Sequence, residues 1–232
     1  MKTIPDNNIL YIFQFEDKQT LHFQVDINRK YTAKDIPENH HFWTELSYNQ
    51  CNNCVLCMQE YRFCPVATDL QGIIESFSSL FSYSTTSVIV ITPEREYRKT
   101  CNIQTGLQSL VGLVMATSSC PILSKFKPLA KFHLPFCTPE DTLFRTVGSY
   151  LIQQYFIHSD GGHPDMALKE LKAFYEDLEK LNTSFGNRIS SASEKDASLS
   201  ALVKLGFFSF MVRASLEKQL DDLRTAFQGK IF

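Results

Sequence analysis

Two stretches near the start of the chain alternate apolar and polar residues, as a β-strand with one buried face does. Residues 9–15 and 21–27 both follow this period, and the polar segment 16–19 between them is short. The pattern therefore predicts an antiparallel hairpin that packs on the core through one face.

A second hairpin is predicted further along the chain. Residues 87–92 are rich in β-branched side chains and apolar on both faces, which is typical of a strand inside a sheet. Residues 96–101 alternate well enough to form the return strand. Thr92-Pro93-Glu94 could also cap a long helix, so both readings stay open here, and we favour the hairpin.

Apolar residues at three- and four-residue steps predict helices over residues 65–81 and 104–117. Pro65 and Pro139 each follow a candidate N-cap and would occupy the first position of a helix, where the missing N–H is not needed. In the second predicted helix, Gly106 is small enough to let another element approach closely.

The last third of the chain is predicted to form two long antiparallel helices. Their apolar stripes begin at Leu168 and Leu199, with a serine-rich connection at 190–193, and Ser193 with Asp196 is expected to cap the second helix. The stripes need burial, either against the body of the protein or in a homodimer centred on residues 206–211.

These elements predict an α+β fold. We expect a small antiparallel sheet of two hairpins, packed against a mainly helical body with two long C-terminal antiparallel helices. Residues 1–160 would form an α+β domain with a cysteine knot, and residues 161–232 a helical hairpin packed on it within one structural unit.

Four of the seven cysteines fall within fourteen residues, at Cys51, Cys54, Cys57 and Cys64. Thiolates on a tight C-x2-C turn can point at one Zn²⁺, and further thiolates complete a tetrahedron. The spacing also resembles the iron–sulfur run of bacterial ferredoxins, and four thiols without a metal are a third reading. We expect structural zinc with these four cysteines as ligands.

Cys120 repeats the arrangement at Cys64, because a proline follows it and starts a helical turn. It is therefore a candidate for a supplementary ligand or an activated thiol. His133 could bind metal or titrate, although a buried histidine with a satisfied hydrogen bond is the commoner case. His40 and His41 are weaker candidates for ligands.

Two features near residue 130 have simple explanations. Residues 125–137 interleave lysines with aromatic residues, as grooves for single-stranded nucleic acid do. We expect instead an irregular turn whose apolar side chains dock while the lysines stay solvated. Arg145 lies beside the apolar stripe of its helix, so we expect a solvated or salt-bridged role in preference to anion binding.

Composition changes the picture by excluding classes of function. A net charge of −2 over 232 residues gives no basic field for nucleic acid or an anionic membrane surface. The first residues are polar, and no apolar run approaches the roughly 18 residues of a membrane span. We expect a cytosolic protein, in which clustered thiols stay reduced. Phosphate-loop, dinucleotide, serine-hydrolase and zincin motifs are absent from the sequence.

Several segments together resemble a bacterial family that is known only as a domain of unknown function. They are Cys51-x2-Cys54, Cys64-Pro65, Thr92-Pro93-Glu94-Arg95, Gly112 to Ala116, Cys120-Pro121, Lys127-Pro128, Phe132 to Phe136, and Arg145. The resemblance covers most of the chain and implies no activity, substrate or cofactor. Its pattern has cysteines at Cys51, Cys54, Cys64 and Cys120 but none matching Cys57. It therefore raises Cys120 or His133 as a ligand in place of Cys57.

Two functional hypotheses follow. The first is a non-enzymatic cytosolic protein in which structural zinc stabilises the fold and the helices serve a protein partner or a regulatory role. The second is a redox protein or metalloenzyme that uses an iron–sulfur centre or an activated Cys120. The first is favoured, because no second catalytic constellation accompanies the cysteines.

Overall fold

The two predicted hairpins join in a single sheet. The computed structural model describes residues 4–29, 40–190, 192, 195–218, 220–224 and 227. In it β1 (Asn8–Gln14) pairs with β2 (Thr20–Asp26), and β3 (Thr85–Ile91) pairs with β4 (Glu96–Asn102). β1 also pairs with β3, so the antiparallel strands stand in the order β2-β1-β3-β4. The alternative of a helix starting at Thr92 is wrong, because the chain turns there into β4.

One face of the sheet forms the floor of the hydrophobic core. Tyr11 in β1 stands opposite Phe23 of β2 and Val90 of β3, and both Tyr11 and Val90 are fully buried. The alternating pattern selects this face, because side chains two residues apart in a strand point the same way. On this face, the apolar side chains of the inner strands β1 and β3 are therefore covered by helices.

The helices cover that face and extend beyond it. They are α1 (Pro65–Phe77), α2 (Ile103–Thr117), α3 (Lys127–Lys131), α4 (Pro139–Ser159), α5 (Lys169–Ser190), α6 (Ala197–Glu217) and the short α7 (Asp221–Arg224). Short 3-10 helices at Phe42–Thr44 and Leu123–Phe126 complete the described elements. The predicted α+β class is confirmed, with a sheet of two hairpins and a C-terminal helix pair.

Helix ends follow local capping. α1 ends four residues before its predicted end, because the N–H groups of Ser78 and Leu80 turn back to the carbonyls of Glu75 and Phe77. α4 begins with a capping box in which Thr138 and Asp141 exchange side-chain and backbone hydrogen bonds of 2.9 and 3.1 Å.

The central helix is α2, which packs on the sheet, on α1 and on α6. Gly106 permits its close approach to the sheet. A Cβ atom at that position would lie 2.7 Å from Val88 Cγ2 and 2.9 Å from Phe13 Cε1. Residue 106 is therefore glycine because the two elements meet there with no room for a side chain.

The C-terminal helices α5 and α6 pack against each other, and α6 also packs on α2. A single cluster of buried residues includes side chains from the sheet and from both of these helices. Asp196 is the N-cap residue of α6, but its side chain does not cap the helix as predicted. The carboxylate instead accepts hydrogen bonds from the N–H and hydroxyl of Ser82, at 2.9 and 2.6 Å. Ser193, its predicted partner, lies outside the described residues.

α6 is more apolar than the sequence analysis indicated. Its 21 residues contain an 18-residue window with a mean hydropathy of 1.5, so by length and composition alone it could cross a membrane. One side of the helix packs on α2, α4 and α5. The other side exposes four large apolar side chains, those of Val203, Phe207, Phe210 and Met211.

Candidate metal centre

The cysteine-rich segment is part of a loop that leaves the core and returns to it. The Cys64 N–H donates to the Thr44 carbonyl at 2.8 Å, and the Leu46 N–H donates to the Arg62 carbonyl at 2.9 Å. A β-bridge between Glu45 and Phe63 closes the base of the loop. The residues between these two ends are therefore held as one excursion, even though they contain no long helix or strand.

Arg188 on α5 holds the base of this loop in place. Its side chain is 1% exposed and donates hydrogen bonds of 2.5–3.2 Å to the carbonyls of Trp43, Glu45 and Leu46. Backbone carbonyls of an irregular loop have no strand or helix partner, so a guanidinium with several donors can satisfy them. Sequence reasoning did not single out Arg188. The available signal was its place on the apolar stripe of α5, three residues after the buried Phe185.

Four thiols influence one another electrostatically beside this arginine. Burial and then the neighbouring Cys64, Cys54 and Cys120 raise the pKa of Cys51 to about 12, the cysteines because thiolates repel each other. The positive charge of Arg188 acts in the opposite direction. The fold thus brings Cys120, which is 56 positions beyond Cys64 in the chain, into the neighbourhood of the local cysteines.

Cys64 and Cys120 occupy similar positions. Cys64 is the N-cap of α1 with Pro65 at the first turn, as predicted, although its side chain makes no capping hydrogen bond. Burial raises the pKa of both thiols. The N–H groups of the following helical turns lower it in part, and Arg188 also lowers it for Cys64. Because the net shift is upward, the geometry gives no support to Cys120 as an activated thiol in the metal-free protein.

Cys51 and Cys54 form a tight turn. The Cys54 N–H donates to the Cys51 carbonyl at 2.9 Å, which is the backbone arrangement that a C-x2-C metal turn uses. Cys57, the third residue of the predicted set, is exposed, and its thiol donates to the side chain of Gln59.

The histidines have other partners. His133 Nε2 lies 2.6 Å from the Tyr11 hydroxyl, and His41 Nε2 lies 2.8 Å from a carboxylate oxygen of Glu75. The His40 ring packs on Phe63, with ring centroids 4.4 Å apart. His133 and His41 thus have polar partners in the protein, whereas Nε2 of His40 is buried and has no hydrogen-bond partner among the described residues.

The thiols are neighbours without being a finished ligand set. In the described ranges, no three His, Cys, Asp or Glu side chains form a group already arranged to hold a metal ion. The donor chemistry nevertheless fits zinc, because four thiols meet backbone N–H groups and a buried guanidinium. All seven cysteines, which lie within the described ranges, are free thiols.

Comparison with known proteins identifies a family and no activity. A family model described as a domain of unknown function, DUF6901, matches residues 9–228. No curated protein and no solved structure matches the chain. The predicted membership of a family of unknown function is confirmed: since the family model spans nearly the whole sequence, the chain belongs to the DUF6901 family.

Proposed function

We propose that this protein binds one structural Zn²⁺ through Cys51, Cys54, Cys64 and Cys120. The observation that carries the proposal is the tight turn of Cys51 and Cys54 in a loop whose base closes next to Cys64. The Cys64 and Cys120 thiols, from two other segments of the chain, lie near enough to raise the pKa of Cys51. Four sulfur donors are the composition of a closed structural zinc site. Cys120 takes the place that the local spacing would give to Cys57.

The charges around the thiols support this proposal. Zn²⁺ with four thiolates carries a net charge of −2, which is costly to bury unless positive charge and N–H donors surround it. Arg188 supplies a buried positive charge beside Cys51 and Cys64. N–H groups at the turns after Cys64 and Cys120 face their sulfur atoms. The same groups would orient the thiolates toward the ion.

The role of the ion would be to connect elements. The proposed ligands come from the loop 51–54, the start of α1 and the connection that follows α2. Binding energy at such a site is folding energy, because the unfolded chain has no preformed site. We place the protein in the cytosol, where free thiols stay reduced, and the exposed apolar side of α6 supports a protein-binding role.

Elemental analysis of protein purified without oxygen and dialysed against buffer tests the proposal. We expect one equivalent of zinc per chain, lost in Cys51→Ser, Cys54→Ser, Cys64→Ser and Cys120→Ser. Cys57→Ser is the matched control and retains the metal, because Cys57 is exposed and bonded to Gln59. If Cys57→Ser loses zinc and Cys120→Ser keeps it, the ligand set proposed here is wrong.

The same sample separates zinc from the iron–sulfur alternative. An iron–sulfur cluster gives a brown protein that contains iron and acid-labile sulfide. We expect a colourless protein with zinc alone. If the protein contains iron and sulfide, the structural zinc role is wrong and a redox role at the same cysteines takes its place.

The protein-binding role is tested on α6. Phe207 and Phe210 are about half exposed, with 52% and 49% of their surfaces accessible. Replacing both by serine should leave zinc content unchanged while abolishing self-association in sedimentation analysis. If the wild-type protein is monomeric at all accessible concentrations, the homodimer form of this role is excluded.

A further inference from the structure

A cavity of about 160 Å³ lies between α2, α4, α5, α6 and the segment that leads into α3. Most of its wall is apolar and includes Leu113, Ala116, Leu123, Phe126, Leu178 and Phe208. An apolar cavity of about 150 Å³ in another protein is large enough to hold benzene. The chamber therefore suits a single aromatic ring or a short branched hydrocarbon chain.

The wall of the cavity contains an amide without a partner. Gln108 on α2 is 8% exposed and lines the chamber. Its side chain makes no hydrogen bond with any part of the chain that the structure describes. The amide atoms keep contact with solvent, so they can form hydrogen bonds with a polar group on a bound molecule.

Arg145 gives the cavity its charge. Its Nη2 donates to the carbonyls of Leu129 and Phe132 at 2.8 and 2.7 Å, which leaves the N–H groups of Nε and Nη1 for another acceptor. No Asp or Glu of the described residues forms an ion pair with it. The side chain is partly exposed, so it is solvated in part as predicted, but the sequence could not show its two carbonyl acceptors.

The other polar side chains of the wall do not counter this charge. Burial, followed by the charge of Arg145, lowers the pKa of His133 to about 3, so its ring is neutral at physiological pH. Among the described residues that line the chamber, Arg145 is the only Arg, Lys, Asp or Glu. Arg145 also borders a wider groove of about 800 Å³, so its side chain lines both spaces.

We propose that this cavity binds a small monocarboxylate. Its apolar body, of the size of a benzene ring, occupies the chamber, and its carboxylate accepts hydrogen bonds from Arg145. Charge-assisted hydrogen bonds from a guanidinium to a carboxylate are among the strongest that side chains make. Gln108 supplies a second polar contact. The cavity uses none of the four thiols, so this inference goes beyond the zinc proposal and does not depend on it.

Benzoate and benzamide are the matched probes, because they share size and shape and differ in charge. Titration of the full-length protein at neutral pH should show saturable binding of benzoate, with benzamide at least tenfold weaker. Arg145→Gln should remove this preference, while Arg98→Gln on the exposed face of β4 should retain it. Equal binding of the two probes, or no saturable binding of benzoate, would overturn the proposal.

A second variant covers the case in which Arg145→Gln fails to fold through loss of its bonds to Leu129 and Phe132. Ala116→Leu leaves Arg145 in place and fills the chamber from α2. We expect it to abolish benzoate binding while zinc content stays at the wild-type level. Unchanged benzoate affinity in folded Ala116→Leu would place the carboxylate site elsewhere and refute the assignment.

Discussion

The hydroxyl of Tyr11 on β1 lies 2.6 Å from Nε2 of His133, a residue 122 positions later in the chain. The hydrogen bond connects the floor of the core to the segment after α3. Burial, with a smaller contribution from Arg145, lowers the pKa of His133 to about 3. The folded protein therefore holds this histidine neutral over a range of pH in which the unfolded chain protonates it.

The pH dependence of stability follows from that shift. Since the pKa of His133 is depressed in the folded state, its contribution is complete above the unfolded pKa of about 6.5 and is lost as pH falls toward the folded value. We expect His133→Gln to reduce the slope of the unfolding free energy between about pH 6 and about pH 4, by up to about 1.4 kcal/mol per pH unit. Urea denaturation at several pH values measures the slope.

His22 provides the control for that experiment. It is exposed on β2, so His22→Gln should leave the slope unchanged. A slope that is the same in His133→Gln and wild type would show that His133 does not titrate differently on unfolding.

Gly106→Ala should destabilise the protein by about 1–3 kcal/mol, the usual cost of overpacking. The added Cβ atom would meet Val88 and Phe13 at distances under 3 Å, and both side chains belong to the fully buried core. The gain in helix propensity, about 1 kcal/mol, is too small to offset the contact.

Gly72→Ala is the matched change on α1. Nothing lies within 4 Å of a Cβ atom at that position, so propensity alone acts and we expect a gain of up to about 1 kcal/mol. Chemical denaturation of both variants gives the comparison. A stabilised Gly106→Ala would contradict the close approach of α2 to the sheet.

Arg188→Lys should cost about 2–4 kcal/mol, since one ammonium cannot reach three carbonyls that a guanidinium bonds at once. Amide hydrogen exchange should rise in residues 40–64, which those carbonyls help to hold. Arg98→Lys, at an exposed ion pair with Glu96, should change stability by less than about 1 kcal/mol. Unchanged exchange in the loop would mean that Arg188 does not fix it.

Zinc affinity should rise steeply with pH. Burial raises the pKa of Cys51, Cys64 and Cys120, so these thiols are protonated at neutral pH in the metal-free protein and must release protons to bind the ion. Calorimetry in buffers of different ionisation enthalpy should report three or more protons released per zinc. Release of fewer than two would remove these thiols from the ligand set.

Local patterns predicted most of the elements. β1 and β2 could be predicted from their alternation, and the start of α4 from the hydroxyl of Thr138 and the proline that follows it. Each of these signals depends on neighbours a few residues away, which the sequence contains directly. The early end of α1 was missed, because the apolar pattern continues to Phe81 after the backbone has turned. The pairing of β1 with β3 joins distant segments and has no local signal.

In the candidate site too, the local features could be predicted from the sequence and the contacts between distant segments could not. The turn of Cys51 and Cys54 and the N-cap position of Cys64 could be predicted from spacing and from Pro65. The approach of Cys120 depends on how α2 packs against α1, so spacing alone favoured Cys57. The tasks of Arg145 and Arg188 were not predicted, because both bind backbone carbonyls, which every residue has and no sequence pattern marks.

The strand order leaves β2 and β4 as the two ends of the sheet among the described residues. A strand with an unpaired side invites extension by another molecule, which is the first step of aggregation. β4 presents Glu96, Arg98 and Lys99 there, all of them exposed, and β2 presents His22 and Gln24. An incoming strand would have to desolvate these side chains, so the sheet discourages fibrous growth at both of its borders.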